Sequence, residues 1–530
     1  MGFWAKSLMV FNCFYHDSKP SIRDVAQQTG LSKSSVHRLK QAILRRDQHP
    51  ESWFWETREG QQWLIRLVVA TLYTFGLKRG VGAETLSEFL LRLGLQSQIG
   101  CSPSALRHLM QLLEQAIVET TQEWEREGVT QGQIGPIIGA VDETFLQCMM
   151  LVFMDLSSGY LLFEETAQDR TYDTWYARVT ARLETLGTRV LYLVSDRAKP
   201  LVKLGKTGLG CLSVPDLFHL IREFVKGYGP AICLRLRQAR QALKAARERL
   251  EQGQNHDPKS AVGLQTQREV EACQAEVERW EGIRHTYRDH LMRLSLMVHP
   301  WQIEEARPQS SQQVKQRLEA EIEAIETFME TTGLPMKKQM LEKVRKQLAD
   351  VSALVDLWWQ EVHDSAQSQV ILTPMWHQWI DTVLLPLMYW QAQVSRTREP
   401  RRKAELVKAL QASQGAFEAH ALTQYLAPEL IEGWKQWAME HVRAFQRASS
   451  AVEGRNGYLS QMQHNHRGLP KRRYQVWSAL YNFDCHAADR STPASRFFRH
   501  NFPDLFEAVL AQIDELPRPR ERRQSKVLTV

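Results

Sequence analysis

Ile137-Ile138-Gly139-Ala140-Val141-Asp142 is an apolar run of strand length that stops on a carboxylate. Leu191-Tyr192-Leu193-Val194-Ser195-Asp196 repeats the form further along the chain. Short apolar runs of this kind read as buried strands. In open α/β sheets, ligands sit beyond the carboxyl ends of the strands, so both aspartates are expected at one functional edge. A third acid, Glu453, lies far downstream in Ser449-Ser450-Ala451-Val452-Glu453-Gly454-Arg455-Asn456-Gly457, and is expected on a later helix.

Around these runs the pattern is that of a sheet with crossovers. Ile137 to Val141 predicts a strand and Cys148 to Met154 a second. Ser157-Ser158-Gly159 forms a hairpin turn into Tyr160 to Phe163. Thr174 to Leu186 predicts a helix, Val190 to Val194 a buried strand, Leu201 to Leu204 the start of a helix, and Gly210 to Val214 another short strand. From about Ile221 to Arg447 strand signal almost vanishes. Leu234 to Gln252 and Gln265 to Leu291 are long helical patterns dense in Arg, Glu, Gln and Ala, which predicts an antiparallel helical hairpin. Further helices follow over Val314–Gly333, Pro335–Gln360, Pro374–Val394 and Ala404–Gln411, with a basic break at Arg396 to Lys403. The charge-rich helices read first as solvated surface.

Ahead of the sheet, Ser21 to Arg46 has helix-turn-helix spacing. Val25 and Ala26 are apolar at helical positions, and Gly30-Leu31-Ser32 makes the turn. Ser32 is placed to cap a second helix, whose inner face is Val36 and Leu39. Lys33, Ser34, Ser35, His37 and Arg38 then fall on its exposed N-terminal part, the part that reads bases in such modules. The alternative is a three-helix packing unit without DNA contact. A looser helical pair follows, with Leu86 to Leu93, a turn over Gly94 to Gly100, and a helix from Ser104 to Ile117. Ser102 takes the N-cap and Pro103 the first helical position.

Composition narrows the class. At 530 residues the chain should form several domains. A hydrophobic share of 43%, a charged share of 24% and a net charge of +7 permit a polyanion partner without requiring one. Seven scattered cysteines without CxxC spacing fit a reducing compartment. The apolar stretch Leu64 to Phe75 carries Arg66 and is too short to span a bilayer, and Met1 to Tyr15 does not read as a signal peptide. No membrane partner is expected.

The motifs Val141-Asp142-Glu143-Thr144, Val194-Ser195-Asp196-Arg197-Ala198-Lys199 and Ser450-Ala451-Val452-Glu453-Gly454-Arg455-Asn456 resemble those of DDE-type insertion-sequence transposases. The interval from Asp142 to Asp196 accommodates a hairpin, a helix and a strand. That from Asp196 to Glu453 is far too long for one crossover, and hAT-like transposases carry an all-helical insertion there. Asp216-Leu217-Phe218-His219 has the Asp/Cys-x-x-His form of the same group. The chain departs from the group at the N-terminus, where a helix-turn-helix stands in place of the zinc finger common in eukaryotic members.

The resemblance implies an α/β RNase H-like catalytic core interrupted by a large all-α insertion and preceded by an all-α helix-turn-helix DNA-binding region. The expected boundaries are 1–50 for the DNA-binding module and 51–134 for a helical region, either a second helix-turn-helix or a dimerisation unit. They continue with 135–222 for the first part of the core, 223–447 for the insertion, 448–510 for the last part with Glu453, and 511–530 for a basic disordered tail. It also implies a Mg²⁺-dependent DNA transposase that cleaves and joins strands at the ends of its element. The alternative is a catalytically inactive regulator derived from one. Partners are double-stranded DNA and at least a second copy of the chain, in a prokaryotic cytoplasm at the nucleoid.

The chemistry asks for hard oxygen ligands. Asp142, Asp196 and Glu453 are expected to hold two Mg²⁺ ions, with Mn²⁺ as a substitute, Asp142 bridging the pair. Each acid also has an ordinary reading, as a turn residue, an N-cap and a surface glutamate. His219 is expected to touch the scissile phosphate or orient a ligand, or else to be structural. Arg197, Lys199, Arg455, Asn456, His464 and Arg467 are candidate phosphate contacts. His464, His466, Cys485 and His486 match no zinc spacing. Trp301 is the candidate for stacking on a flipped base; Trp358, Trp359, Trp376 and Trp390 read as core. Asp155, Asp169 and Asp173 read as hairpin and capping residues.

Overall fold

The computed structural model describes residues 3–15, 20–46, 57–146, 148–252, 261–303, 305–465 and 471–519. Among the candidate residues, His466 and Arg467 lie outside them, as does the end of the basic tail, 520–530. The described chain is mostly helical, with one small mixed sheet.

The first body is a three-helix unit: α1 (Phe3–Tyr15), α2 (Ile22–Thr29) and α3 (Lys33–Arg46). Ser21 caps α2 through a reciprocal box with Asp24. Gly30 ends α2 at φ 70°, a left-handed turn that glycine adopts without steric cost. The Ser32 hydroxyl then accepts from the Ser35 amide at 3.2 Å and starts α3. Val10, Val25, Val36, Leu39 and Ile43 form its core. The sequence pattern anticipated α2 and α3 but not α1, whose apolar residues are interrupted by Lys6 and Asn12.

The sheet has five strands: β1 (Ile137–Leu146), β2 (Cys148–Asp155), β3 (Leu161–Ala167), β4 (Val190–Ser195) and β5 (Leu212–Pro215). Their order is β3-β2-β1-β4-β5; β1 to β3 form an antiparallel meander, and β4 and β5 run parallel to β1. Side chains alternate between two cores, as the two-residue strand period requires. Ile138, Ala140, Val152, Met154, Tyr192 and Val194 face the helical insertion. Ile137, Val141, Leu151, Phe153 and Leu193 face a second core built with the helices Arg58–Thr71, Ala83–Arg92, Pro103–Gln131, Tyr172–Leu186 and Lys471–Asp484. The edge strand β3 is covered by Asn482, which accepts from the Leu161 amide at 2.8 Å and donates to its carbonyl at 2.9 Å.

The helix from Ser102 runs to Gln131, well past Ile117. Its buried residues pack into the second core with the Lys471–Asp484 helix, so the 58–131 region buttresses the sheet. The insertion opens with the helices Leu217–Gln252 and Ala261–Met297, which pair lengthwise through Leu236, Ala239, Leu243, Val277, Trp280 and Tyr287. One expectation needs correcting here. The segment 511–519 is not a free tail: Leu516 is buried, and the Pro517 carbonyl accepts from the Gly100 amide at 2.6 Å. Among the described residues no helix is long and apolar enough to cross a membrane.

Candidate active site

Three parallel strands each deliver an aspartate to the same edge. The register pairs Ala140 with Val194 and Ser195 with Pro215, so Asp142, within β1, stands level with Asp196, which follows β4, and Asp216 follows β5.

Asp142 is half-buried. Its Oδ1 accepts from the Glu143 amide at 2.9 Å and its Oδ2 from Asn456 Nδ2 at 2.7 Å. Burial pushes its carboxyl up to about 6, the nearby Asp196 charge adds to the rise, and the Glu143 amide and His219 oppose it. Asp196 is exposed, and its Oδ1 accepts from the Ala198 amide at 2.9 Å. Glu143 points to the other face, where it meets Arg170 at 3.1 Å and the Trp175 indole at 3.3 Å.

Asp216 sets the third acid in place. It is 1% exposed, and its carboxylate accepts from the amides of Phe218 (2.7 Å), His219 (3.2 Å) and Ser449 (2.7 Å) and from the Ser449 hydroxyl. It therefore caps the start of the Leu217–Gln252 helix and grips Ser449, whose carbonyl begins the Ser450–Asn465 helix by accepting from the Glu453 amide at 3.0 Å. Glu453 sits in the first turn of that helix. His219 lies between the two carboxylates, with Nδ1 3.6 Å from Asp216 and Nε2 3.9 Å from Glu453. Neither distance is a hydrogen bond, and His219 Nδ1 and Asn456 Oδ1 are both buried without a partner. Sequence reasoning quoted Asp216 only within its motif. The signal for its position was available, since it follows directly on the short strand pattern that ends at Val214.

The Ser450–Asn465 helix lies across the sheet in register. Asp142, Val152 and Glu164 are aligned partners on β1, β2 and β3. Asn456 meets the first of these and Arg455 the last, with Nε to Oε2 at 2.5 Å and Nη2 to Oε1 at 3.0 Å. This corrects the expectation for Arg455. It is 4% exposed and paired inside the protein, so it does not grip phosphate. Asn456 likewise holds Asp142 rather than facing solvent.

Arg197 is also committed. It adopts φ 72°, and its guanidinium bonds Asp350 at 2.7 Å on the Lys338–Gln367 helix. Lys199 remains exposed beside Asp196. With Arg197, Lys203 and Lys206 it lines a basic hollow of about 430 Å³. His464 is exposed at the far end of its helix, bonded to the Ser460 carbonyl at 2.6 Å. Trp301 needs correcting outright. It is 0% exposed, donates its indole N–H to the Asp381 carbonyl at 2.7 Å, and packs among Trp358, Trp359, Tyr389 and Trp390, where no base can stack on it.

On α3, Lys33, Ser34, His37 and Arg38 are exposed, while Ser35 is half-buried and engaged with Ser32.

Asp142, Asp196 and Glu453 supply only oxygen donors, the set that suits Mg²⁺. Among the described residues they do not form a group whose ligand atoms all lie within 4.8 Å. As they stand they are too far apart to share one ion, and a pair of ions about 3.5–4 Å apart has the wider span. The buried Asn456 oxygen beside Asp142 is an acceptor that no donor of the described residues meets.

Comparison with known proteins bears on the two ends of the chain. Residues 5–47 match the IclR helix-turn-helix domain, so the chain carries an IclR-type helix-turn-helix DNA-binding domain at its N-terminal end. Residues 380–525 match DUF6399, a family of unknown function, in a stretch that includes Glu453. No curated protein matches the chain.

Proposed function

We propose that this chain is a DNA transposase of the DDE type, with an RNase H-like core that cleaves and joins strands at the ends of a mobile element. The observation that carries the reading is that Asp142 on β1 and Asp196 at the end of the adjacent parallel strand β4 stand level, with the helix of Glu453 bonded to Asp142 through Asn456. The strand order β3-β2-β1-β4-β5, with an antiparallel meander followed by two parallel strands, supports the RNase H-like assignment. The helix-turn-helix supports recognition of DNA ends, with Lys33, Ser34, His37 and Arg38 facing the groove.

Asp142, Asp196 and Glu453 would hold two Mg²⁺ ions between them, with Mn²⁺ able to substitute. When bound, such a pair relieves charge on the attacking and leaving oxygens of an in-line displacement. The protein's own groups prepare the edge. Asn456 fixes one oxygen of Asp142, Asp216 fixes the helix that aims Glu453, and His219 stands within reach of Glu453. Lys199 and the basic hollow beside Asp196 offer a seat for the phosphate backbone.

The test is strand cleavage and joining on the DNA that flanks the reading frame. Wild type is compared with Asp142→Ala, with and without Mg²⁺. Metal-dependent nicking at a defined end, lost in the variant, is the expected result. A second reading, a DNA-binding regulator without catalysis, is favoured by the IclR-type module. Specific binding with no cleavage by either protein would favour it.

A further inference from the structure

The helical insertion holds a second cluster of ligand-type side chains, remote in sequence from the acidic edge. His363 on the helix Lys338–Gln367 places Nε2 3.0 and 3.2 Å from the two oxygens of Asp381. His377, four residues before Asp381, turns its ring against His363 with centroids 5.5 Å apart. One ligand atom from each of the three lies within 4.8 Å of the others. His377 makes no hydrogen bond or ion pair through its ring among the described residues.

The backbone around Asp381 is held in an unusual way, for a reason the sequence gives. Ile380–Leu384 is a π-turn, in which the Leu385 amide bonds the Ile380 carbonyl. The residue that would pair next with the Asp381 carbonyl is Pro386, which has no N–H. That carbonyl is taken instead by the Trp301 indole at 2.7 Å. Single π-turns inside helices gather at functional sites. Trp359 stacks on the His363 ring, with centroids 5.5 Å apart, and steadies it from the other side. Two of the three ligands are thus fixed, and the ring nitrogens of the third are not engaged by another described residue.

We propose that His363, His377 and Asp381 bind one divalent transition-metal ion of the Zn²⁺ class, which ties the Lys338–Gln367 helix to the segment that begins at Pro374. Two imidazoles and a carboxylate make a donor set for tetrahedral Zn²⁺ with water in the fourth position. Bonds of about 2.0–2.1 Å place tetrahedral ligand atoms about 3.4 Å apart. The His363–Asp381 pair is already near that spacing, and His377 lies close enough to complete the set. The site is chemically distinct from the all-oxygen acidic edge and stands independently of the transposase reading.

The test uses the full chain, stripped with a chelator and titrated with Zn²⁺ or with Co²⁺ as the spectroscopic probe. The expected result is one tightly held ion per chain. Co²⁺ should give the intense visible bands of a tetrahedral site with nitrogen ligands, and X-ray absorption of the Zn²⁺ form should show two imidazoles. His377→Ala should weaken Zn²⁺ binding by about 100-fold, and Asp142→Ala should leave it unchanged. Circular dichroism and chemical denaturation check that each variant is folded. Wild type that takes up no such ion, or only one with the weak bands of an octahedral oxygen site, overturns the proposal. Equal binding by folded His377→Ala and wild type also overturns it.

Discussion

The central strands carry an aspartate at each end of the sheet, and the two are treated in opposite ways. Asp155 closes β2, at the end where β1 begins. It is 1% exposed and accepts from the amides of Ile138, Ser157 and Ser158 and from the hydroxyls of Ser157 and Ser158. Asp142, toward the other end of β1, has two donors, a carboxyl pushed up to about 6, and the orphaned oxygen of Asn456 beside it. A carboxylate surrounded by donors is a structural device, because its charge is already met. One left short of donors, among other acids, is stabilised by a cation from outside. The contrast separates a carboxylate whose charge the fold already meets from one that the fold leaves short of donors.

The largest effect is expected where the acidic end is braced. Arg455→Ala leaves Glu164 buried and alone, and should cost about 3–5 kcal/mol of stability, read by chemical denaturation of the sheet-containing part of the chain. A loss of DNA affinity with unchanged stability would break the comparison by returning Arg455 to the surface.

Asp155→Asn comes next. The amide replaces one acceptor oxygen with a donor facing the Ser157 and Ser158 groups, and should cost about 2–3 kcal/mol.

Asp142→Asn should go the other way. The folded-state carboxyl titrates near 6 against an ordinary 3.8, so between these values the folded chain binds the proton more tightly than the unfolded chain. Stability therefore falls as pH rises through that window, and the loss is complete at pH 7. Asn removes it, and Asn456 can turn its amide to keep the contact. After allowing for partial solvent access, the variant should gain about 1–2 kcal/mol at pH 7 in chelator, with little gain at pH 4. Mg²⁺ should narrow the gap by stabilising wild type alone. Equal stability of the two proteins in chelator at pH 7 would remove the distinction between the two ends.

The smallest effect on stability lies away from both. Arg38→Ala on α3 should weaken DNA binding by about 1–3 kcal/mol if it reads a base, and otherwise lower the salt slope by about one. Neither end of the sheet should change in stability.

The sheet and the DNA-binding module were legible because their signals are local. Ile137 to Val141 and Val190 to Val194 are apolar runs with polar stops, and Ser21, Gly30 and Ser32 are cap residues at cap spacing. The failures concern partners distant in sequence. Beside Glu453, Arg455 reads as a phosphate contact until Glu164 is known to lie under it. The helical period did carry a warning, since Val452, Arg455, Leu459 and Met462 share one stripe and are all buried. Trp301 was misread for a similar reason: an aromatic after a helical hairpin looks available until Trp358, Trp359 and Trp390 arrive from later helices. Asp216 could not be given its task from sequence alone, because the task is a contact with Ser449 across the whole insertion.

That contact has a topological consequence. Asp216 opens the first helix of the insertion, and Ser449 stands where the chain returns from it. The Leu217 amide also bonds the Arg447 carbonyl at 2.9 Å, so the outgoing and incoming strands of the excursion meet at a single clasp. With its two ends joined in this way, the intervening helical body resembles a bead threaded on the sheet. Its length costs little in chain entropy, and the parts of it remote from the sheet can lengthen or shorten while Glu453 stays where the clasp puts it.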